Sequence, residues 1–342
     1  MLRYALYGIA AAMLIALAAV ATIASGGRYV AAIPSPNVPV ETPNAISKLE
    51  DHAPTTMDGS RSLTRRGGQA IAAMISHRSG SRSSYGVICL MYHRFASPDD
   101  YARMSGDDRL YTIPIDRFEQ QLADLRRLRF TPLTAAQAVA FARQESVLPG
   151  PTVLITIDDG SRSVLTLAAP LLRAYGMRAT LFITTDPTAY VFDPAKSDEG
   201  RLTDDEIRGL DPELFDVQAH GVTHRPLRSL PDDALRHELD EARRVLEPLT
   251  GRPVRELSVP GNWYDDRVLE FACRSGYEAV FVSDKGIIRP GGDVPRMPRY
   301  MVQGYKSRTG FRKMLSAAFT DAAGHELTHA SAARRNTAVG KP

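Results

Sequence analysis

Two short segments hold the residues best able to do chemistry. Ile157-Asp158-Asp159-Gly160-Ser161 places two adjacent carboxylates at the end of an apolar run. About 60 residues later, His220-Gly221-Val222-Thr223-His224 presents two imidazoles four positions apart. One carboxylate and two imidazoles form an N2O donor set suited to Zn²⁺, or to Co, Ni or Fe as divalent ions, with a position left open for water. Asp159, His220 and His224 are the candidate ligands. Successive side chains on an extended strand point to opposite sides, so Asp158 does not readily share the ion and is free to act as a general base. A metal in such a site lowers the pKa of a bound water towards ~7 and polarises a carbonyl oxygen. That chemistry suits hydrolysis of an unreactive bond. Taken singly, Asp158-Asp159-Gly160 also reads as a helix-capping turn, and the histidines as a packed or surface pair. Their joint occurrence at strand ends favours the metal site.

The elements that must carry these residues alternate. Gly86–Tyr92, Val153–Ile157, Ala179–Ile183, Leu214–Ala219, Glu256–Val259, Ala279–Val282 and Arg299–Val302 read as strands. The first two are apolar without alternation, the pattern of strands buried on both faces. Helical spacing runs through Asp116–Leu128, with Phe118, Leu122, Leu125 and Leu128 in phase, and through Pro231–Leu249, with Leu235, Leu239, Ala242 and Leu246 on one face. Thr134-Ala-Ala-Gln137 is a capping box, and Thr203-Asp-Asp-Glu206 caps a short helix. Val164–Tyr175 is a helix stopped at Gly176, and Asp265–Ser275 a further helix. Alternating strands and helices pair in parallel through right-handed crossovers. About seven strands in about 240 residues match one closed or nearly closed β/α barrel. Neither a G-x-G-x-x-G after the first strand nor a P-loop is present. In such a barrel function collects where strands finish. His93, Asp158 and Asp159, His220, Pro260-Gly261 and Arg299 all fall at predicted strand ends.

Outside that region the composition changes. The 342 residues carry a net charge of +3. Residues 1–84 hold eight Lys/Arg against four Asp/Glu, so the rest is close to neutral and shows no electrostatic footprint for nucleic acid. Tyr4–Ala24 is uncharged and apolar or small, and ~21 helical residues span roughly 30 Å, one bilayer core. Residues 1–27 are expected to be a transmembrane anchor or signal peptide, the anchor being favoured for want of a clean cleavage site. Residues 28–84 read as a disordered spacer and residues 323–342 as a disordered tail, flanking a domain at 85–322. Cys89 and Cys273 are expected to be two buried thiols.

Leu90-Met-Tyr-His-Arg-Phe95, Ile155-Thr-Ile-Asp-Asp-Gly160, Arg178-Ala-Thr-Leu-Phe182 and His220-x-x-x-His224 together resemble the polysaccharide deacetylases, carbohydrate esterase family four. The likeness runs from about residue 86 to 305, and the Leu-Met-Tyr-His segment is most similar to the branch acting on poly-N-acetylglucosamine and related exopolysaccharides. The resemblance implies a distorted (β/α)7 barrel, a divalent metal and hydrolysis of N-acetyl groups from N-acetylhexosamine units. It implies Asp158 as base, Asp159, His220 and His224 as ligands, Ser258-Val-Pro-Gly261 as a groove wall, and Arg299 as the residue that orients Asp158. Trp263 and Tyr264, after the Pro-Gly turn, are candidates to stack on sugar rings or to pack locally. Together with the apolar leader Tyr4–Ala24, the resemblance leads to the expectation of a place in a bacterial envelope, anchored to the cytoplasmic membrane with the catalytic domain outside, secreted if the leader is cleaved, and in contact with polysaccharide synthesis or export machinery. Three departures stand out. Gly221 replaces the usual Ser or Thr after the first metal histidine. Ser258 stands where many members carry Arg. No late histidine follows His237 before His325, so the general acid is missing from its usual place; His93 is a candidate substitute, with a structural role as its alternative.

Two competing readings carry different predictions. A membrane-tethered polysaccharide-binding protein with decayed catalysis would explain the missing acid but not the intact Asp158, Asp159, His220 and His224. His325-Glu326-Leu327-Thr328-His329 matches the zinc-protease helix motif, yet residues 330–342 offer no His, Asp or Glu as third ligand.

Overall fold

The computed structural model describes residues 86–148, 150–186, 188–189 and 200–319. The expected anchor, spacer and tail, and the His325–His329 motif, lie outside the described residues. Among the described residues, no helix is long and apolar enough to cross a membrane.

The strands are β1 (Val87–Tyr92), β2 (Arg94–Ala96), β3 (Thr112–Pro114), β4 (Thr131–Pro132), β5 (Thr152–Asp159), β6 (Ala179–Ile183), β7 (Phe215–Ala219), β8 (Glu256–Ser258), β9 (Ala279–Phe281) and β10 (Tyr300–Met301). The helices are α1 (Pro98–Arg103), α2 (Gly106–Tyr111), α3 (Ile115–Arg127), α4 (Ala135–Ala142), α5 (Ala169–Tyr175), α6 (Asp204–Arg208), α7 (Asp232–Thr250), α8 (Asp266–Arg274) and α9 (Arg308–Ser316). The main sheet runs β10-β1-β5-β6-β7-β8-β9, with β4 added beside β5, and every pairing in it is parallel. This is an α/β half-barrel of parallel strands, consistent with the expected (β/α)7 architecture. Residues 297–302 span the gap between its two sides: Met297 exchanges backbone hydrogen bonds with Val280 and Val282 beside β9, and the Val302 N–H donates to Met91 of β1.

The absence of alternation in β1 and β5 has its cause here, since all six and all eight residues respectively are buried. Ile88, Leu90 and Tyr92 pack with Phe118, Leu122 and Leu125 of α3 in the larger apolar cluster, whereas Cys89, Leu154, Phe182 and Phe281 lie in a second cluster on the other face. Each such side chain contributes roughly 1.5–3 kcal/mol by leaving water. Both predicted capping boxes form, at Thr134/Gln137 and Thr203/Glu206.

Other expectations need correction. The helix expected over Val164–Tyr175 begins as a π-turn, Val164–Ala168, and becomes α-helical only at Ala169. Pro170 lacks the N–H that would continue the regular ladder backwards, and its ring crowds the preceding turn. The small β2/β3 pair and α1, α2 and α9 lie in segments where the sequence pattern predicts no element. Cys89 is a buried free thiol as expected, but Cys273 is exposed, because it falls on the outer side of α8.

Two buried carboxylates give stability tests. Asp124 of α3 is fully buried and accepts paired hydrogen bonds from Arg308 (2.9 and 2.9 Å) and Arg312 (3.0 and 2.7 Å) of α9. The Arg308 hydrogen bond, against the effect of burial, holds this carboxyl well below the usual range. Asp124→Ala is expected to cost about 2 kcal/mol, the low end for a broken pair because both arginines are half exposed and can rehydrate. Because the folded-state pKa is depressed, that contribution is present above the ordinary carboxylate range and fades below it. Urea melts at pH 7 and pH 3 would show the gap closing.

Glu256 at the start of β8 behaves oppositely. Burial, then the charges of Asp216 and Glu278, push it up to about 8. A raised carboxyl pKa favours the folded state below the unfolded value near 4.5 and withdraws that stability as pH rises through 8. Glu256→Gln is therefore expected to be neutral at pH 4 and to stabilise by about 2–4 kcal/mol at pH 8.5. Equal effects at both pH values would refute the assignment.

Candidate metal and catalytic site

β5 ends in the two carboxylates. Asp159 has φ +75° and Gly160 φ +87°, so the backbone enters the left-handed region where the strand stops. This breaks the strand's alternation, and both Asp158 and Asp159 line one open cavity of about 330 Å³. His93 after β1, His220 and His224 after β7, and Gly261 and Trp263 after β8 line it too. A non-glycine residue at positive φ is uncommon, and here Asp159 and His224 (φ +60°) are both held there.

Asp159 Oδ1 lies 3.3 Å from His220 Nε2 and 3.5 Å from His224 Nε2. The three candidate ligand atoms fall within 4.8 Å of one another. His220 Nδ1 is 2.8 Å from the Ser258 carbonyl oxygen, so it donates there and Nε2 is turned towards Asp159. Asp159 Oδ1 is buried and has no hydrogen-bond partner. A carboxylate oxygen facing two ring nitrogens at this distance repels their lone pairs unless a cation stands between them. The donor set, its convergence and the orphaned oxygen therefore fit a divalent metal. The electrostatics agree. Burial opposes charge on His220, but the close approach of the Asp159 carboxylate and the charge of Asp158 raise its pKa. Burial, with His220 beside it, pulls His224 down to about 4 and leaves it a neutral donor. Burial works against ionising Asp159, yet the close approach of His220 and the other neighbouring imidazoles hold it far below the usual carboxylate range.

Arg299 organises the other carboxylate. It is fully buried, with Nη1 2.8 Å from Asp158 Oδ1 and Nη2 2.9 Å from Oδ2, a two-pronged pair. Nη2 also donates to Ser258 Oγ (2.8 Å), which in turn donates to Asp158 Oδ2 (3.0 Å). Thr156 Oγ1 accepts from Nη1 at 3.2 Å, and the guanidinium sits 5.5 Å from the centre of the Phe182 ring. Burial pushes the Asp158 pKa up, but the Arg299 charge, the His220 charge and the Arg299 hydrogen bonds bring it below its ordinary value. Ser258 thus touches the expected base through its hydroxyl and an expected ligand through its carbonyl. The positive charge beside Asp158 comes from Arg299, which follows β9.

The remaining expected residues divide. His93 is half-buried in the cavity, its ring 4.8 Å from that of Tyr111 and nearly perpendicular to it. Burial lowers its pKa, against the pull of Asp159 and Asp158. Trp263 is 41% exposed at the rim. Gly261 has φ +59°, and a Cβ there would come within 2.7 Å of the Trp263 ring, so only glycine lets the indole fold over this turn. Pro260 is buried and Tyr264 donates its hydroxyl to Asp284 (2.5 Å); neither is among the cavity-lining residues. Sequence reasoning missed Tyr111, Asn262, Ser283, Met91 and Met301 in the lining. Met91 could have been found, since β1 alternation puts it on the same face as His93. Met301 lies in β10, and Tyr111, Asn262 and Ser283 come from short segments with no period to read.

Comparison with known proteins agrees with this geometry. The sequence profile of the polysaccharide deacetylase family matches residues 146–280. A curated relative, YxkH of Bacillus subtilis (strain 168), named after the polysaccharide deacetylases, is 22% identical over 197 residues. That match covers 58% of this chain and 64% of the relative, less than two thirds of its length. Among solved structures, the Streptococcus pyogenes deacetylase PplD in complex with acetate superposes with TM-score 0.59 at 20% identity, over 68% of this chain and 99% of that one. IcaB from Ammonifex degensii superposes with TM-score 0.56 at 21% identity, over 68% and 97%. These structures share the fold, and the profile match spans both Asp158-Asp159 and His220-x-x-x-His224. Residues 146–280 thus match the polysaccharide deacetylase profile, on a fold shared with solved deacetylases.

Proposed function

We propose that this protein hydrolyses N-acetyl groups from an N-acetylhexosamine-containing polysaccharide, an exopolysaccharide or a cell-wall polymer. The observation that carries the reading is the pairing of an ionised, rigidly held Asp158 with the Asp159–His220–His224 donor set in one open cavity. A divalent metal, Zn²⁺ by donor chemistry, would be held by Asp159, His220 and His224 and would supply Lewis acidity at the amide carbonyl and a more acidic water. Asp158 accepts the proton of the attacking water, and Arg299 and Ser258 keep its carboxylate aimed and charged. Gly261 lines the cavity, and its backbone N–H is the candidate donor to the developing oxyanion. The carbon–nitrogen bond breaks, the carbon–oxygen bond to water forms, and acetate and a free amine result. His93 lines the same cavity, with its pKa lowered by burial, and is the candidate to pass the proton taken up by Asp158 to the leaving nitrogen. The exposed Trp263 face at the rim offers a platform for a sugar ring.

The apolar Tyr4–Ala24 segment supports tethering to the cytoplasmic membrane with this domain outside, where it would meet polymer during synthesis or export. The deciding experiment measures acetate release from N-acetylglucosamine oligomers by the full chain with Zn²⁺ or Co²⁺, with chelator, and with Asp158→Asn. Metal-dependent release that vanishes in the variant supports hydrolysis. Metal uptake without release by the parent would favour a polysaccharide-binding protein instead.

A further inference from the structure

We infer that Glu238 of α7 is a positioning residue for the metal centre: its carboxylate clamps the loop between His220 and His224 and sets the affinity of the site. This rests on the reading that Asp159, His220 and His224 hold a divalent cation.

Glu238 is an anomaly of the helix that carries it. It sits on the buried face with Leu235, Leu239 and Ala242, and is 3% exposed. A carboxylate among apolar side chains costs several kcal/mol unless donors surround it. Here they do. Oε2 accepts from the Val222 N–H at 2.7 Å and the Thr223 N–H at 2.9 Å, and Oε1 accepts from the Thr223 hydroxyl. All three donors belong to the two residues immediately before His224.

The opposite side of the loop is tied as well. The Gly221 and Val222 carbonyls accept from the N–H groups of Thr185 (3.2 Å) and Asp186 (2.9 Å). The carbonyls are thus anchored on the extension of β6, and the N–H groups on Glu238. Held from both sides, the loop keeps His224 at φ +60°, an uncommon conformation for a non-glycine residue, with Nε2 3.5 Å from Asp159 Oδ1.

Gly221 fits the same arrangement. It has φ +72°, and a Cβ there would lie 3.0 Å from Glu238 Oε2. The carboxylate approaches the loop where a side chain would begin, so the glycine and Glu238 are one device. This accounts for Gly221 standing where the resemblance leads one to expect Ser or Thr: the loop is ordered by a partner on α7 rather than by its own hydroxyl at that position.

Residues that orient metal ligands without touching the metal change affinity by about 10–100-fold when altered. The test is Zn²⁺ affinity by competition with a chromogenic chelator, on the full chain, far below the melting temperature. The parent, Glu238→Gln, Thr223→Val and Asp159→Asn are compared, with circular dichroism confirming each fold. Glu238→Gln keeps the shape but sets an amide N–H₂ against N–H donors. The expected result is affinity about 10–100-fold weaker in Glu238→Gln and a few-fold weaker in Thr223→Val, which loses one contact of three. Folded Glu238→Gln with affinity within about two-fold of the parent overturns the clamp, leaving a structural carboxylate only. Should Glu238→Gln not fold, Thr223→Val decides by the same criterion. A parent that binds no Zn²⁺, or binds it undiminished in Asp159→Asn, overturns the metal reading itself and the clamp with it.

Discussion

Arg299→Gln is expected to destabilise the protein by about 3–5 kcal/mol and to abolish most hydrolysis in what remains folded. The reason is asymmetry. The Asp158–Arg299 pair is fully desolvated, with two short hydrogen bonds and further support from Ser258 and Thr156. Removing the guanidinium leaves Asp158 buried and charged, with the Ser258 hydroxyl still donating to it but no positive charge beside it. A loss of that size consumes much of the 5–15 kcal/mol that holds a typical domain folded. Asp158→Asn is expected to behave differently. It removes the base, with a loss of about 10²–10⁴-fold in rate. It also strands Arg299, though its amide oxygen can still accept from the guanidinium. The double variant is the sharper measurement. If the two residues matter to stability as a pair, Asp158→Asn in the Arg299→Gln background restores part of the lost stability, because no unpaired charge stays buried. Urea melts of the four proteins give the coupling directly. Strict additivity would mean that the pair contributes nothing as a pair, and acetate release corrected for the folded fraction separates aim from stability.

Chelation is expected to have the second large effect. Stripping the divalent ion should lower acetate release to background, a loss of at least about 10³-fold, and return of Zn²⁺ or Co²⁺ should restore it. Stability should fall at the same time, since a ligand bound only by the folded state at 100 times its Kd contributes about 2.7 kcal/mol. His224 makes this specific. It is more exposed than His220 and sits on a strained backbone, so His224→Ala should weaken metal binding while costing little stability in the metal-free protein. His220→Ala should harm both, because His220 is buried and bonds Ser258. Chelator-insensitive release that also survives His224→Ala would remove the metal from the reaction.

The fold was legible where periodicity was strong. The predicted strand Ala179–Ile183 agrees with β6 to the residue, and both capping boxes form where Thr and Gln or Glu stand three apart. The β2/β3 pair and α1, α2 and α9 were not legible. These pieces are two or three turns long or less, and a helix or strand that short has no period to read. The cavity wall they help to form, at Tyr111, was hidden for the same reason.

The sequence by itself determined which residue types are available for metal ligation and base catalysis, and that parallel strands would carry them to one edge. Identity and spacing suffice for this, because β/α alternation puts strand ends on one side. Only the tertiary structure decided how they are held. Asp158 meets Arg299 across 141 residues and Ser258 across 100. Glu238 reaches the histidine loop from a helix face that hydrophobic spacing marks as plain core. A buried charge is stable only beside a partner, and no local pattern records which distant donor the packing brings within 3 Å.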